Sequence, residues 1–390
     1  MNQMKPILFL LTLGVFLTAT SELIVTGVIG GIAADLNISL ALAGQLVTVF
    51  SLSFAIGTPI VVSITSRWDR KTVLISAGVV FTIGCLTAWV SPSMDVLIAS
   101  RIVLGISSGV FLVVSFGVVA KIMPPERLGH AVSMLILGFS SAMVIGIPIG
   151  IFIADWLSWR EIFLFLCVSS AGTIYAIYRL LPAVGSEAPV PFLKQFKVFG
   201  RGIIITGLLI TLFREWGNNV LFAYLIPFMQ TILDLPPAYS SVTMLVLGIA
   251  GAAGARFGGY AVDRWGATST MIGGLILHIG SIILMPLWTG SVFPGLVLIG
   301  LMVISMFTTG PAIQSFFIQQ ASGATGIVLS INTSFTHIGL AAGAATGGLL
   351  LQSSATLLYH PYLAGALVGL GLLAAIVGFL NQRNQRALGR

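Results

Sequence analysis

Four ionisable side chains stand inside long apolar runs of this 390-residue sequence: Glu22, Arg101, Arg214 and Glu215. A charge at the centre of a hydrocarbon layer costs roughly 2.5–3.5 kcal/mol on insertion scales, so such residues are candidates to carry protons, ions or polar ligands. Glu22 has Thr18 and Thr26 one helical turn away on the same face. Burial penalises the charged form of a carboxyl, which makes Glu22 the preferred proton-exchange site. Its alternative is a permanently ionised structural carboxylate, held by Arg101 or by hydroxyls. Arg101 cannot shed its proton, so its expected role is electrostatic, toward Glu22 or another acidic group. The alternative for Arg101 is snorkelling to the membrane interface.

The densest polar insertion is Phe213-Arg214-Glu215-Trp216-Gly217-Asn218-Asn219. Neighbours on a helix point roughly 100° apart, so Arg214 is expected to stack with Asn218 and Glu215 with Asn219 rather than Arg214 with Glu215. Glu215 is a candidate second proton site, with a buried ion pair to Arg214 as the alternative. Trp216, Asn218 and Asn219 suit a small polar, ring-shaped ligand through stacking and amide hydrogen bonds; interhelical hydrogen bonding is the competing use. Gly217 is a place where the helix is expected to unwind locally. Thr18, Gln45, Gln314, Asn332 and His337 complete the candidate lining. His337 carries the one side chain that titrates near neutrality unperturbed, although a lone membrane histidine also serves as a hydrogen-bonded packing residue. His278 has a weaker case, and His130 and His360 fall near the ends of apolar runs. These positions form no metal-ligand cluster, and no phosphate-binding glycine loop is present, so neither a metal nor ATP hydrolysis nor any other cofactor is expected.

The elements that must position these groups follow from composition. Charged residues make up 7% of the chain and hydrophobic ones 57%, against roughly 25% charged in a soluble domain. With a mean hydropathy of +1.07, the solvent for most of this chain is lipid. The net charge of +7 is scattered between apolar runs, which excludes the clustered basic face of a nucleic-acid binder. Cys85 and Cys167 lie within such runs and form no disulfide framework. Runs of about 20 apolar residues, the length that crosses a bilayer as a helix, predict twelve spans. They cover 6–30, 41–65, 72–91, 95–119, 129–154, 159–181, 202–231, 240–262, 268–288, 292–318, 325–351 and 361–381. Glu22 inside the first run and its length argue against a cleaved signal.

Lys and Arg in the short loops orient the spans. Lys5, Arg67, Arg70, Lys71, Lys121, Arg127, Arg179, Lys194, Lys197, Arg201, Arg256, Arg264, Arg383, Arg386 and Arg390 fall on one side, and Arg160 alone falls on the other. Both termini are therefore expected in the cytoplasm. The segment 182–200 divides the chain into an N-terminal six-helix bundle, 1–181, and a C-terminal one, 201–390. Ungapped matches at an offset of 197 support duplication: Arg67-Trp68 with Arg264-Trp265, Ser133 with Ser330, Gly146 with Gly343, and Gly150 with Gly347. That offset sets Glu22 against Asn219. The expectation is a division of labour, with the proton mainly in the first half and substrate polarity mainly in the second.

Several motifs resemble those of the major facilitator superfamily, and within it the bacterial twelve-span drug and metabolite/proton antiporters. The family's loop motif after the second span resembles Gly259, Asp263, Arg264 and Gly266 in the second half. The first half keeps Arg67, Arg70 and Lys71 but has Ser66 for the Asp and Asp69 for the Gly. Arg101, Gly105 and Gly109 resemble the family's fourth-span pattern, and Gly146, Pro148 and Gly150 its antiporter motif. Glu22-Leu23-Ile24-Val25 and Asn332-Thr333-Ser334, leading into Gly339, Gly343 and Gly347, resemble purine/nucleoside, sugar or arabinose, and chloramphenicol efflux proteins. The resemblance implies an all-α membrane protein of two pseudo-symmetric six-helix bundles in a bacterial inner membrane. It also implies alternating-access export of a small molecule, driven by the proton gradient, with one chain sufficient for a pathway. Uptake by proton symport and a non-transporting ligand sensor are the rivals; a membrane enzyme is remote.

Overall fold

An apolar run in lipid satisfies its own backbone polar groups only as a helix. The computed structural model describes residues 4–186, 201–320 and 325–387, and is helical with no strand among them. Side chains are described for all of these except 4, 125–129, 325–326 and 381–387. Lys194, Lys197 and Arg390 lie outside the described residues, as do the side chains of Arg127, Arg383 and Arg386. The chain divides into two compact units, Met1–Phe192 and Leu193–Arg390.

The first unit contains α1 (Met4–Asp35), α2 (Leu40–Ile64), α3 (Arg70–Trp89), α4 (Met94–Ile122), α5 (Pro125–Ser141), α6 (Ile147–Trp156) and α7 (Trp159–Leu180). Short polar side chains start several of them. Ser39 caps α2 by accepting from the Leu42 N–H at 3.2 Å. Asp69 caps α3, accepting from Lys71 and Thr72 at 3.0 and 3.3 Å, the ordinary use of a carboxylate at a helix start. Between α5 and α6 runs a π turn, Ala142–Gly146. Pro148 has no N–H to give the Val144 carbonyl, and just before it the Ile147 N–H reaches back five residues to Ala142. The proline of the antiporter-like motif thus produces a local widening rather than a break.

The second unit contains α8 (Gly202–Phe222), α9 (Leu225–Thr231), α10 (Ser240–Trp265), α11 (Ala267–Leu284), α12 (Val292–Gln320), α13 (Thr325–Ser354) and α14 (His360–Ala387). The seventh span, expected as one helix over 202–231, is two. Pro227 cannot donate to the Ala223 carbonyl and its ring crowds that group, so the chain turns at Ala223–Tyr224 before restarting. Gly217, expected to unwind, lies in unbroken helix. A Cβ there would lie 2.5 Å from the Ala364 carbonyl oxygen of α14, so its small size serves packing. Gly266, at φ +83°, makes the turn between α10 and α11, a conformation that favours glycine.

Among the described residues eleven helices are long and apolar enough to cross a membrane. α8 is not one of them, because Arg214, Glu215, Asn218 and Asn219 fall in its second half. Its polar groups are matched instead by close neighbours: α8 packs along α13 and α14, as α1 packs along α5. Glycines make these approaches possible. A Cβ at Gly343 would lie 2.5 Å from the Trp216 carbonyl oxygen, and one at Gly146 2.5 Å from Thr20 Oγ1.

A paired substitution tests this packing on α10. A Cβ at Gly258 would lie 2.5 Å from the Thr308 backbone oxygen of α12, whereas Gly259 faces open space. Gly258→Ala is expected to lower stability by about 1–3 kcal/mol, read as a fall in Tm of the detergent-purified protein. Gly259→Ala leaves Tm unchanged or slightly raised, since alanine favours helix.

Candidate functional site

The first unit buries one polar constellation where α1, α2 and α4 meet. Arg101 of α4 is 0% exposed. Its Nη1 donates to the Ser21 carbonyl at 2.8 Å, its Nη2 to the Glu22 carbonyl at 3.4 Å, and its Nε to the Leu46 carbonyl at 3.3 Å. The Phe50 ring covers the guanidinium, 4.3 Å from its centroid. Complete burial excludes snorkelling. The cation also feels the charge of Glu22, but these three hydrogen bonds go to backbone carbonyls, which supply negative partial charge where no water competes. Glu22 is 7% exposed. The flanking hydroxyls are committed to their own helix: Thr18 donates to Val15 at 3.0 Å and Thr26 to Leu23 at 2.7 Å. Gln45 is half-buried, its amide directed at the Ala41 carbonyl.

The second unit centres on α8. Arg214 and Glu215, expected to point apart, form an ion pair through Nη2 and Oε1. The 100° between adjacent positions separates Cβ atoms, not the end of a long guanidinium, and in a low dielectric the two charges have strong reason to meet. Arg214 Nη1 donates onward to the Met306 carbonyl at 2.9 Å and Thr309 Oγ1 at 2.6 Å, both on α12. Toward α13, Thr211 donates to Asn332 Oδ1 at 2.7 Å, Trp216 Nε1 to Thr346 Oγ1 at 3.0 Å, and Asn219 Nδ2 to the Leu340 carbonyl at 2.5 Å. Phe213 and Trp216 stack in near-parallel planes. Asn218 differs from its neighbour: it is 3% exposed and its Oδ1 has no hydrogen-bond partner. His337 is buried, its Nδ1 2.9 Å from the Thr333 carbonyl of its own helix, and Gln314 is exposed within the unit.

The loop-motif residues form local structure. Arg67 is exposed, and Lys71 lies over the Tyr178 ring at 5.5 Å. Arg70 is buried, and its N–H donates to the Val184 carbonyl at 2.8 Å. Asp69, which departs from the family pattern, is the α3 cap described above. Asp263 and Arg264 are exposed in the last turn of α10, where a cation complements the helix dipole. At the other end of the first unit Arg160 pairs with Asp35 and donates to the Ser91 carbonyl at 3.0 Å, while Trp159 Nε1 also donates to Asp35 at 3.2 Å. Sequence alone did not single out Thr309, Thr211 or Thr346, nor any of the carbonyl acceptors. Threonines are common in membrane helices, and carbonyls carry no residue-type signal.

Eleven long apolar helices among the described residues, with a few buried charges between them, define a multi-pass membrane protein. Comparison with known proteins makes this specific. The sequence model of the Major Facilitator Superfamily matches residues 11–344, and the chain belongs to that family of transporters. It is 33% identical over 378 residues to the uncharacterized MFS-type transporter YbcL of Bacillus subtilis (strain 168), covering 97% of each chain. To a chloramphenicol resistance protein of Streptomyces lividans it is 25% identical, covering 94% of this chain and 95% of the other. The crystal structure of a D-xylose-proton symporter superposes with a TM-score of 0.80 at 18% identity, covering 95% and 96%. This last likeness is one of fold.

Arg101 supplies the test of the first constellation. Arg101→Lys keeps the charge but cannot reach three carbonyls on two helices at once. Losing two charged hydrogen bonds is expected to cost about 3 kcal/mol or more. Denaturant titration of the purified protein followed by tryptophan fluorescence measures it; an unchanged midpoint would mean that the three carbonyl contacts contribute nothing.

Proposed function

We propose that this transporter exports a small polar metabolite or drug by alternating access, driven by the proton gradient, with Glu22 as the proton carrier. The observation that carries this is the Glu22 carboxyl, buried in the longest apolar helix of the first unit beside the Arg101 cation. A carboxyl that can be neutralised in lipid is a proton site by its chemistry. The Arg101 hydrogen bonds to Ser21, Glu22 and Leu46 carbonyls hold the cation in place through a change in the carboxyl's charge. One charge crossing 100 mV is worth about 2.3 kcal/mol, which supports roughly a fiftyfold concentration gradient.

Export is favoured by the name of one relative, the chloramphenicol resistance protein, and by the resemblance of the first and eleventh spans to efflux proteins. Asn218, with a buried Oδ1 lacking a partner, takes an N–H or O–H of the substrate, as nucleobases, nucleosides, sugars and amide-bearing antibiotics all offer. Arg214, Trp216, Asn219 and Asn332 hold the helix that presents it. The cytoplasmic membrane of a bacterium is the setting, with both termini cytoplasmic and one chain the working unit. The energy source is the proton gradient, without a cofactor.

A thermal-shift screen against those four ligand classes identifies a substrate, and flux into proteoliposomes of known orientation follows it under an imposed pH gradient. Wild-type protein is expected to move the hit against the direction of proton flow. Glu22→Gln keeps the thermal shift and loses pH-driven flux at least about tenfold, one step in affinity arithmetic. Undiminished pH-driven flux in E22Q overturns the assignment of Glu22. Co-directional movement of substrate and protons makes the protein an uptake symporter, and binding without flux makes it a sensor.

A further inference from the structure

Two buried polar atoms of α8 lack partners and are complementary to each other. Arg214 Nε–H is a donor and Asn218 Oδ1 an acceptor, both on buried side chains. Positions 214 and 218 lie one turn apart on the same face of an unbroken helix, a spacing that sets Cβ atoms roughly 5–6 Å from each other. Helical side chains tilt toward the N-terminus, so the short amide at 218 leans back over Arg214. Rotation of side chains on one helix is therefore enough to join donor and acceptor.

The other bonds of the guanidinium hold it away from that pairing. Nη1 donates to the Met306 carbonyl and to Thr309 Oγ1 on α12, and Nη2 to Glu215 Oε1. A guanidinium is planar, so fixing both Nη groups also fixes the direction of Nε–H. Of these three anchors only Glu215 can change its charge. The elements packed on α8 are α13 and α14, with α12 and α9 in lighter contact. α12 and α9 contain no titratable or charged side chain. On α13 the titratable group is His337, a buried and engaged ring whose Nδ1 lies 2.9 Å from the Thr333 carbonyl. Among the described side chains of α14, Tyr362 is exposed, and His360 is committed through Nε2 to the Gly347 carbonyl and sits against the Tyr224 ring, beyond the end of α8. His278 Nε2 is a further unpartnered acceptor, but it belongs to α11, which packs on α10, α12 and α14. Asn218 is the unpartnered acceptor on the helix of Arg214 itself.

We propose that Asn218 Oδ1 is shared between the substrate and Arg214, and that protonation of Glu215 hands it to the arginine. In that step the Glu215 carboxylate gains one proton and becomes a neutral acid, and no other group changes charge. Its hold on Nη2 falls from that of an ion pair to that of a neutral acceptor. The guanidinium then turns about its own side-chain bonds, and an N–H reaches Asn218 Oδ1, so that two unpaired atoms become one hydrogen bond. A substrate N–H or O–H bound at Asn218 is displaced. By linkage the reverse also holds: substrate on Asn218 keeps Arg214 on Glu215 and disfavours its proton. Proton and substrate thus exclude each other at the second unit, as exchange between them requires. This consequence rests on the reading of Asn218 as the substrate's acceptor; the switch itself does not.

A double-mutant cycle reads the switch without substrate, as Tm of the purified protein at one pH. In wild type Asn218→Leu removes an unpaired amide and is expected to leave Tm unchanged or raised. In Glu215→Gln, which imitates the protonated acid, the same substitution lowers Tm, because Arg214 loses the acceptor it has moved to. Asn218→Asp added to Glu215→Gln returns a carboxylate one turn away and recovers the Tm lost in E215Q; if E215Q alone does not purify, this double variant does. Equal effects of Asn218→Leu in the two backgrounds overturn the proposal, as does failure of Asn218→Asp to recover Tm or folded yield. Dependence on the Glu215 background that appears for His278→Leu and not for Asn218→Leu overturns it too. For any hit of the thermal-shift screen, apparent affinity is expected to weaken on acidification in wild type and to be at least about tenfold weaker at every pH in E215Q. Affinity equal to wild type in E215Q, or binding that tightens on acidification, overturns the sharing of Asn218. A coupled cycle with flux indifferent to pH leaves the switch standing and removes the proton-driven reading. An additive cycle with pH-driven flux that E22Q abolishes does the opposite.

Discussion

A guanidinium that cannot lose its proton and cannot reach water must be surrounded by acceptors, and both units are organised by that requirement. In the first, Arg101 of the fourth helix reaches carbonyls of α1 and α2. In the second, Arg214 of the unit's first helix reaches a carbonyl and a hydroxyl of α12, its fourth long helix. The donor has changed sides while the joined pair, first helix to fourth, is the same. The helices must then come close enough for a side chain to bridge backbones. Small residues supply such closeness: Gly105 of α4 faces the Phe50 carbonyl of α2, near the Leu46 acceptor of Arg101, while Gly254 and Gly258 set α10 against the carbonyls of Ile304 and Thr308 on α12. Arginine and glycine positions are thus one constraint seen twice, because a buried cation needs exposed carbonyls and exposed carbonyls need close helices.

The duplication explains where this closeness recurs. Gly146 and Gly150 bring the fifth span against Thr20 and Ile24 of α1, and Gly343 and Gly347, at the offset of 197, bring α13 against Trp216, Asn219 and Val220 of α8 and Tyr224 just beyond it. What differs is the filling. Against Gly343 stands an amide whose nitrogen donates to the Leu340 carbonyl; against Gly146 stands Thr20, which donates to its own helix. The second unit therefore crosses its helix boundary with side-chain hydrogen bonds where the first relies on packing. Such bonds in membranes average only about 0.6 kcal/mol each, so they fix orientation more than they add stability.

The long helices, the buried charges and the repeat were legible in sequence because each is a matter of residue type and spacing. Glu22, Arg101, Arg214 and Glu215 announce themselves as charges in apolar runs. What they bind was not legible. Arg101 reads as a partner for a carboxylate, and it also donates to three carbonyls, groups that every residue has. Arg214 and Glu215 looked separated because helical geometry speaks for Cβ atoms and is silent about the reach of a guanidinium. The break at Ala223–Tyr224 was readable in principle from Pro227, whose missing N–H falls four residues later. Gly217 drew attention away from it, although that glycine's role is to admit α14.

The two glutamates sit in different circumstances, and this bears on which can change charge at little structural cost. Arg101 keeps three backbone acceptors whatever charge Glu22 carries. Arg214 keeps one carbonyl and one hydroxyl if Glu215 is neutralised, with its Nε–H already unpartnered. Desolvated charge left in that state is expensive, on the scale of several kcal/mol per ion, unless another acceptor is at hand. A carboxyl with an independently anchored counter-cation suits repeated proton exchange, whereas one whose proton releases its counter-cation suits coupling that proton to movement between α8 and α12, where the other Arg214 contacts lie. The asymmetry between the units therefore lies less in where polarity is placed than in what each arginine has left to hold when its glutamate goes neutral.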